Sequence, residues 1–317
     1  MSDKNNSGNL SKGDVISFVA LLLMGVLVFF GMNFMTLGDK IPSIVVAILT
    51  VVLMTVFVFL AAYAKAQDRN QSTWKKVEYS MLALYVLALI PCYIFSAKFF
   101  DVQFDKDNVM KQVQTDTNDL NKLFNDYSRK CESRVSAYQI DLESMLTTTE
   151  GRSKLASLLE ISDPSSINKE SVTQAAQSFS KSLKGAEYKA LEAEKNNLVK
   201  NCETNFNNWN IMFIPQYAYE LGTAKGKYAT ELERIYGKTQ NNLEKNIPEF
   251  ETAAYTNESG ILNTFKSTDK FSVIGLLVVL FLGFLGLVKY LLGDKSTVIP
   301  IKQGDTSVIG EDGGFTF

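Results

Sequence analysis

The chain has 317 residues, 46% of them hydrophobic, a net charge of -2 at pH 7 and no histidine. Without an imidazole it cannot form a Ser-His-Asp or Cys-His nucleophile pair, a C2H2 or HExxH zinc site, or a His-ligated haem or copper site. Nucleic acid is also excluded as an expected partner, because broad nucleic-acid binding needs a net basic face and the pI is about 5.5.

Four stretches reach the length of about 20 mostly apolar residues that spans the hydrocarbon core of a membrane. They are Val15–Met35, Ile41–Ala64, Val77–Ala97 and Phe271–Leu292. Four such runs exceed what a globule of 317 residues could bury, so we expect four transmembrane helices. The first run is too long for the apolar part of a cleavable signal peptide, and no small-residue cleavage motif follows it.

Lysine and arginine predict the orientation of these spans, because short cytoplasmic loops are enriched in both residues. One side of the membrane would hold nine cations: Lys4, Lys12, Lys65, Arg69, Lys75, Lys76, Lys289, Lys295 and Lys302. The short loop on the other side holds only Lys40, and including the flanks of the large domain makes the contrast nine to six. We therefore expect a cytoplasmic N-terminus (1–14), three spans within 15–97, an external domain (98–270), a fourth span (271–292) and a flexible cytoplasmic tail (293–317).

The region between the third and fourth spans has the apolar spacing of a mainly α domain, either an elongated bundle or coiled-coil-like. Over residues 105–147 two seven-residue series interleave: Val113, Leu120 and Tyr127, and Phe124, Cys131, Tyr138 and Met145. The series are weak for an open dimeric coil, so we expect this helix to pack against others of its own domain. One or two further helices are predicted over 168–206, and another over 216–246 that Pro248 ends.

Six residues are candidates for a disulfide or for partner binding. Cys131 and Cys202 are the two cysteines of the large domain; they could form a disulfide or remain two unpaired buried thiols. Phe213 and Ile214 lie in the most apolar run of that domain, which could dock on a partner or on the membrane, or be buried in the core. Phe315 and Phe317 end a Gly-rich tail that could bind a cytoplasmic partner or have no such role.

No motif in the chain predicts catalysis, a cofactor or a metal ion. GxxxxGK[ST], GxGxxG, CxxC and GxSxG do not occur, and the run from Gly222 to Lys227 resembles a phosphate loop only superficially because its spacing is wrong. No carboxylate lies in the middle of a span, where a proton-driven pump would need one. We therefore do not expect an enzyme.

Four spans, short cytoplasmic ends and one helical insertion between the third and fourth spans resemble the TssN family. Members of that family are inner-membrane components of the type VI secretion systems of Bacteroidetes, and Asn- and Lys-rich stretches such as Lys195-Asn196-Asn197 suit such a bacterium. The resemblance implies a structural scaffold subunit in the bacterial inner membrane, with a periplasmic large domain. Its partners would be membrane lipid and other inner-membrane and periplasmic subunits, and it could form a homo-oligomer. The alternatives are a membrane subunit that senses a periplasmic ligand and, less favoured, a channel.

Overall fold

A computed structural model describes residues 11–67, 72–255, 259–266 and 272–292. These residues are mainly helical, and none of them lies in a β-strand. The described helices are α1 (Lys12–Met35), α2 (Lys40–Ala66), α3 (Ser72–Phe104), α4 (Lys106–Met145), α5 (Thr149–Leu158), α6 (Lys169–Leu183), α7 (Ala186–Asn207), α8 (Ile214–Lys238), α9 (Gly260–Lys266), α10 (Val273–Gly286) and α11 (Val288–Leu292). Short 3-10 turns occur at Pro164–Ser166 and Ala253–Tyr255.

The described residues divide into two compact units. The first, which we call the apolar unit, contains residues 11–29, 43–67, 72–97 and 272–292. The second, the bundle unit, contains residues 30–42, 98–255 and 259–266. The ends of the first two apolar helices therefore belong to the bundle unit, as do the last residues of α3.

The apolar unit contains most of each segment that the sequence predicts to cross a membrane. Within the described chain, four helical segments are long and apolar enough to cross a membrane: α1, α2, α3 and the α10–α11 pair. Met24, Met54 and Val279 are buried between the helices, whereas large apolar side chains such as Leu277 and Phe281 lie on the outside. An extensive apolar exterior marks contact with lipid or with other proteins, and this one belongs to helices of membrane-spanning length. These features are those of a membrane protein.

The predicted fourth span is interrupted, because α10 ends at Gly286 and α11 begins at Val288. The hydroxyl of Ser17, on α1, lies at this interruption. It accepts a hydrogen bond from the N–H of Lys289 at 2.8 Å and donates one to the carbonyl oxygen of Leu285 at 3.4 Å. An unbroken helix would join these two backbone groups directly, so Ser17 satisfies both where the helical bond is missing.

Two glycines allow α3 and α10 to approach each other closely. The Tyr85 hydroxyl donates a hydrogen bond to the carbonyl oxygen of Gly283 at 2.8 Å. A Cβ atom at Gly286 would lie 2.3 Å from that hydroxyl oxygen, and one at Gly283 would lie 2.9 Å from Leu89 Cδ2. Close helix packing accounts for this pair of small residues.

In the bundle unit α4 is the central helix, and α5 to α9 all pack against it. The two predicted seven-residue series face this core. Six of their seven members are buried, and the seventh, Met145, is half-buried against the same cluster. The prediction that α4 packs within its own domain is thus confirmed.

The structure resolves one predicted helical region into two helices and shortens another predicted helix. Residues 168–206 form two helices, α6 and α7, and Asn168 caps α6 by accepting a hydrogen bond from the N–H of Ser171. The helix predicted to reach residue 246 ends instead at Lys238. The Asn241 side chain accepts hydrogen bonds from the N–H groups of Leu243 and Glu244 at 2.9 and 3.0 Å, which turns the chain away from the helical path.

We expect Gly222→Ala to destabilise the bundle unit by about 1–3 kcal/mol, the usual range for overpacking a core. Gly222 lies where α8 approaches α9, and a Cβ atom there would lie 2.2 Å from Leu262 Cγ. Leu262 is itself buried and has little room to move. Urea unfolding of the full-length protein in detergent micelles measures the change.

The same helix provides a matched control, because a Cβ atom at Gly226 would have no heavy atom within 4 Å. Gly226→Ala should therefore stabilise α8 by about 0.5–1 kcal/mol through helix propensity alone. If both substitutions change the free energy of unfolding in the same direction, the conclusion that Gly222 lies in close contact with Leu262 is wrong. Both glycines lie inside α8, which also removes the superficial likeness to a phosphate loop.

Candidate functional site

The apolar run that includes Phe213 and Ile214 forms a turn leading into α8. Ile214 is fully buried in the core of the bundle unit, so it does not belong to a partner-binding surface. Phe213 is 36% exposed, and the Lys40 ammonium lies 4.3 Å from the centre of its ring. Of the two predicted residues, the structure leaves only Phe213 accessible to a partner.

Side chains from α1 and α3 hold this turn in place. Trp209 adopts a positive φ of 47°, and its indole N–H donates a hydrogen bond to Gln103 Oε1 at 2.8 Å. The amide nitrogen of Asn33, a fully buried side chain, donates to the carbonyl oxygen of Met212 at 3.5 Å. All of these residues belong to the bundle unit, so the turn is one of its fixed features.

Cys131 and Cys202 are free thiols in the structure, and the alternative of a disulfide between them is not realised. Cys131 follows Tyr127 by one turn of α4, and the Tyr127 ring stacks on Tyr188 near the start of α7 with 5.1 Å between ring centres. Cys202 lies four turns beyond Tyr188 on α7, which is about 20 Å along the helix axis at 1.5 Å per residue. A disulfide needs Cα atoms about 4.4–6.8 Å apart.

Both thiols are in environments that keep them unreactive. Burial raises the pKa of Cys131 to about 11 and that of Cys202 to about 12. Since the thiolate is the nucleophile and the metal ligand, protonated thiols of this kind act as small apolar side chains.

A buried arginine fastens the turn after α8 to α4. The guanidinium of Arg134 donates two hydrogen bonds to the Glu244 carboxylate, at 2.8 and 2.5 Å. It also donates to the carbonyl oxygens of Tyr236 and Thr239, at 3.0 and 2.7 Å. Burial lowers the pKa of Arg134, but the Glu244 carboxylate raises it by more than burial lowers it. The net pKa is above the ordinary value, so the arginine stays charged. The arrangement is that of a structural anchor.

A buried carboxylate fastens α9 to α4 in a similar way. Asp116, which is 4% exposed, accepts a hydrogen bond from the Ser259 hydroxyl at 2.6 Å and one from the N–H of Ile261 at 3.1 Å. Ser259 precedes the first residue of α9, and its hydroxyl accepts a hydrogen bond from the N–H of Leu262 at 3.3 Å. Asp116 thus accepts hydrogen bonds from groups at the N-terminus of α9, although Ser259 is 143 residues away from it in sequence.

Polar side chains at one end of the apolar unit connect its four helical segments. Asp14 of α1 pairs with Lys289 of α11 at 2.8 Å. Lys65 of α2 donates a hydrogen bond to the carbonyl oxygen of Tyr290 at 2.8 Å, and the Tyr290 hydroxyl donates to Glu78 of α3 at 2.6 Å. These contacts fix the helices against one another near their ends.

Metal ligands and surface depressions are the features of the described residues that bear on chemistry. No group of three Cys, Asp or Glu side chains in the described ranges could hold a metal ion. A depression of about 580 Å³ beside α6 is lined mainly by apolar and short polar side chains, with Glu160 as its one carboxylate. The phenol of Tyr138 also lines this depression, and a second depression of about 500 Å³ is lined by Glu233, Glu249 and Glu251. The tail residues Phe315 and Phe317 lie outside the described residues, so their binding role stays a prediction.

No protein-family model matches this chain, and it matches no curated protein and no solved structure. The TssN-like assignment therefore stays a prediction that rests on the architecture of the sequence.

The anchoring residues Arg134, Asp116 and Ser17 were not singled out by the sequence. Each is a polar residue on the apolar face of a helix, where an unpaired polar group would be strongly destabilising. That placement is the signal that could have marked them: Arg134 and Asp116 are three residues from Cys131 and Val113 of the predicted core series. Their partners could not be identified in this way, because they lie far away along the chain.

Proposed function

We propose that this protein is a non-enzymatic scaffold subunit of an envelope-spanning complex, the membrane complex of a type VI secretion system. The observation that supports this best is the bundle unit, in which long helices are fastened by buried polar anchors in a chain with four apolar helices. The charged or polar group of each anchor makes hydrogen bonds within the protein, which suits a rigid support more than a reactive centre. A rigid bundle attached to a membrane can hold partner subunits in a fixed place.

We further propose that both termini are cytoplasmic, that the membrane is the bacterial inner membrane, and that residues 98–270 are periplasmic. The charge bias of nine cations against one in the short loops supports this orientation. A periplasmic bundle unit would meet periplasmic and inner-membrane subunits of the same complex.

Topology can be tested with single cysteines and a membrane-impermeant maleimide on spheroplasts. Gln177 is exposed on α6, and we expect Gln177→Cys to be labelled in intact spheroplasts. Lys75 is exposed near the start of α3 on the opposite side, so Lys75→Cys should be labelled only after lysis. The parent protein is a built-in background control because its three cysteines are buried. The reverse pattern would overturn the orientation.

Co-purification after mild detergent extraction tests the scaffold function itself. We expect a tagged full-length protein to recover envelope subunits of a secretion machine in fixed proportion. A variant with a weakened bundle unit, such as Arg134→Ala, should lose these subunits although it still inserts into the membrane. Recovery of a kinase or transcriptional regulator would indicate a sensor, and recovery of the protein alone would favour a channel.

A further inference from the structure

The bundle unit carries a patch of exposed and half-buried apolar, aromatic and lysine side chains that includes the start of α2 and the end of α3. We call it the interfacial patch and define it as Lys40, Ile41, Phe104, Lys106, Trp209 and Phe213. Ile41 is 75% exposed and Phe104 65% exposed, which is unusual for such side chains on a surface that faces water alone.

Two of its lysines lie over two of its aromatic rings. The Lys40 ammonium is 4.3 Å from the centre of the Phe213 ring, and the Lys106 ammonium is 4.9 Å from that of Trp209. The hydrogen bond from the Trp209 indole to Gln103 fixes the orientation of this ring. The amphipathic ring of a tryptophan and the long side chains of lysines, as at Trp209, Lys40 and Lys106, are typical of the boundary between membrane and water.

Chain continuity places the patch near such a boundary. Ile41 is the first residue of the second predicted apolar run, and Phe104 is the last residue of α3. Phe99 of α3 stacks on Phe30 of α1 with 5.6 Å between ring centres. Phe104 is therefore roughly level with Met35, where the first apolar run ends, since both lie five residues beyond the stacked pair.

We propose that the interfacial patch binds the phospholipid headgroup layer of the membrane that the apolar helices cross. Ile41, Phe104 and Phe213 enter the boundary between headgroups and acyl chains, while the ammonium groups of Lys40 and Lys106 contact lipid phosphates. Such a patch would attach the bundle unit to the membrane surface at these residues. This proposal rests on the membrane placement given above and goes beyond the scaffold function.

Trp209 is a natural reporter, because the protein contains only two tryptophans, Trp74 and Trp209. The full-length Trp74→Phe protein, reconstituted in phosphatidylcholine–phosphatidylglycerol vesicles, leaves Trp209 as the sole fluorophore. We expect lipids brominated near the headgroup to quench its emission more than lipids brominated deep in the acyl chains. If Trp74→Phe does not fold, the difference between the parent protein and Trp209→Phe gives the same information.

Ile140→Trp, in a protein that lacks both natural tryptophans, is the matched control. Ile140 is exposed on α4 and lies about 50 Å along that helix from Lys106 at 1.5 Å per residue. The emission of a tryptophan at this position should not respond to brominated lipid. Lys40→Glu combined with Lys106→Glu should reduce the shallow quenching of Trp209.

Three results would overturn the proposal: no quenching of Trp209 by any brominated lipid, quenching only by deep bromines, or quenching equal to that of the Ile140→Trp control. The first result, together with normal recovery of envelope subunits, would mean that this patch faces a protein partner while the scaffold function stands. Shallow quenching without recovery of those subunits would support the patch and reject the scaffold.

Discussion

Replacing Arg134 with alanine is expected to lower the free energy of unfolding of the bundle unit by about 3–5 kcal/mol. The Arg134 side chain is 3% exposed and that of Glu244 is 16% exposed, so the substitution leaves a carboxylate in a largely dry site. The carbonyl oxygens of Tyr236 and Thr239 also lose their donor. At about 2–4 °C per kcal/mol for a unit of this size, the melting temperature should fall by about 6–20 °C. Thermal unfolding of the full-length protein in micelles measures this.

Arg129→Ala is the control for this substitution, because Arg129 lies on the same helix and also forms an ion pair. Its side chain is 74% exposed and pairs with Asp126, so its removal should change stability by less than about 1 kcal/mol. Arg134→Lys keeps the charge but not the planar fork of donors, and its effect should lie between the two. Equal effects of Arg129→Ala and Arg134→Ala would show that the buried pair does not anchor the turn.

Local sequence patterns were sufficient for the parts of the fold that depend on one helix at a time. The apolar runs identify four helices of membrane-spanning length. The spacing of Val113, Leu120 and Tyr127 identifies the face of α4 that is buried. A repeat of this kind reflects which side chains leave water, and that choice is already encoded in neighbouring residues.

Contacts between distant residues could not be derived in the same way. Arg134 and Glu244 are 110 residues apart in sequence, and neither has a local feature that indicates the other. The early end of α8 follows from the turn at Asn241, which places Glu244 against Arg134. Two adjacent asparagines favour turns, so Asn241 and Asn242 indicate that the helix ends before them. The apolar spacing before them favours a longer helix, and it was given more weight in the prediction.

The interruption of the fourth apolar segment shows the same limit. No proline lies near Leu287, and the run from Phe271 to Leu292 looks uniform. The interruption becomes understandable only when Ser17 is brought next to Leu285 and Lys289 by helix packing. The candidate partner-binding residues were equally undecided, because burial of Ile214 and exposure of Phe213 depend on how the turn is held by α1 and α3.

Replacing Asp116 with alanine is expected to destabilise the attachment of α9 by about 2–6 kcal/mol. The substitution leaves the N–H of Ile261 and the hydroxyl of Ser259 buried without their acceptor, and each unsatisfied group contributes about 1–3 kcal/mol. The effect should be local, since α9 is a short helix fastened by this carboxylate and by its packing on α4 and α8. Hydrogen exchange of the full-length protein should accelerate at residues 260–266 before it changes at the far end of α4.

Asp141→Ala is the matched control, because Asp141 is an exposed aspartate on the same helix. It should leave both stability and hydrogen exchange within about 0.5 kcal/mol of the parent, as surface substitutions usually do. Both hydrogen bonds go to Asp116 Oδ2, and Asp116→Asn retains an oxygen that can take this position, so its effect should be smaller than that of alanine. If α9 exchanges at the same rate in Asp116→Ala as in Asp141→Ala, packing of Leu262 and Phe265 holds this helix and the carboxylate does not.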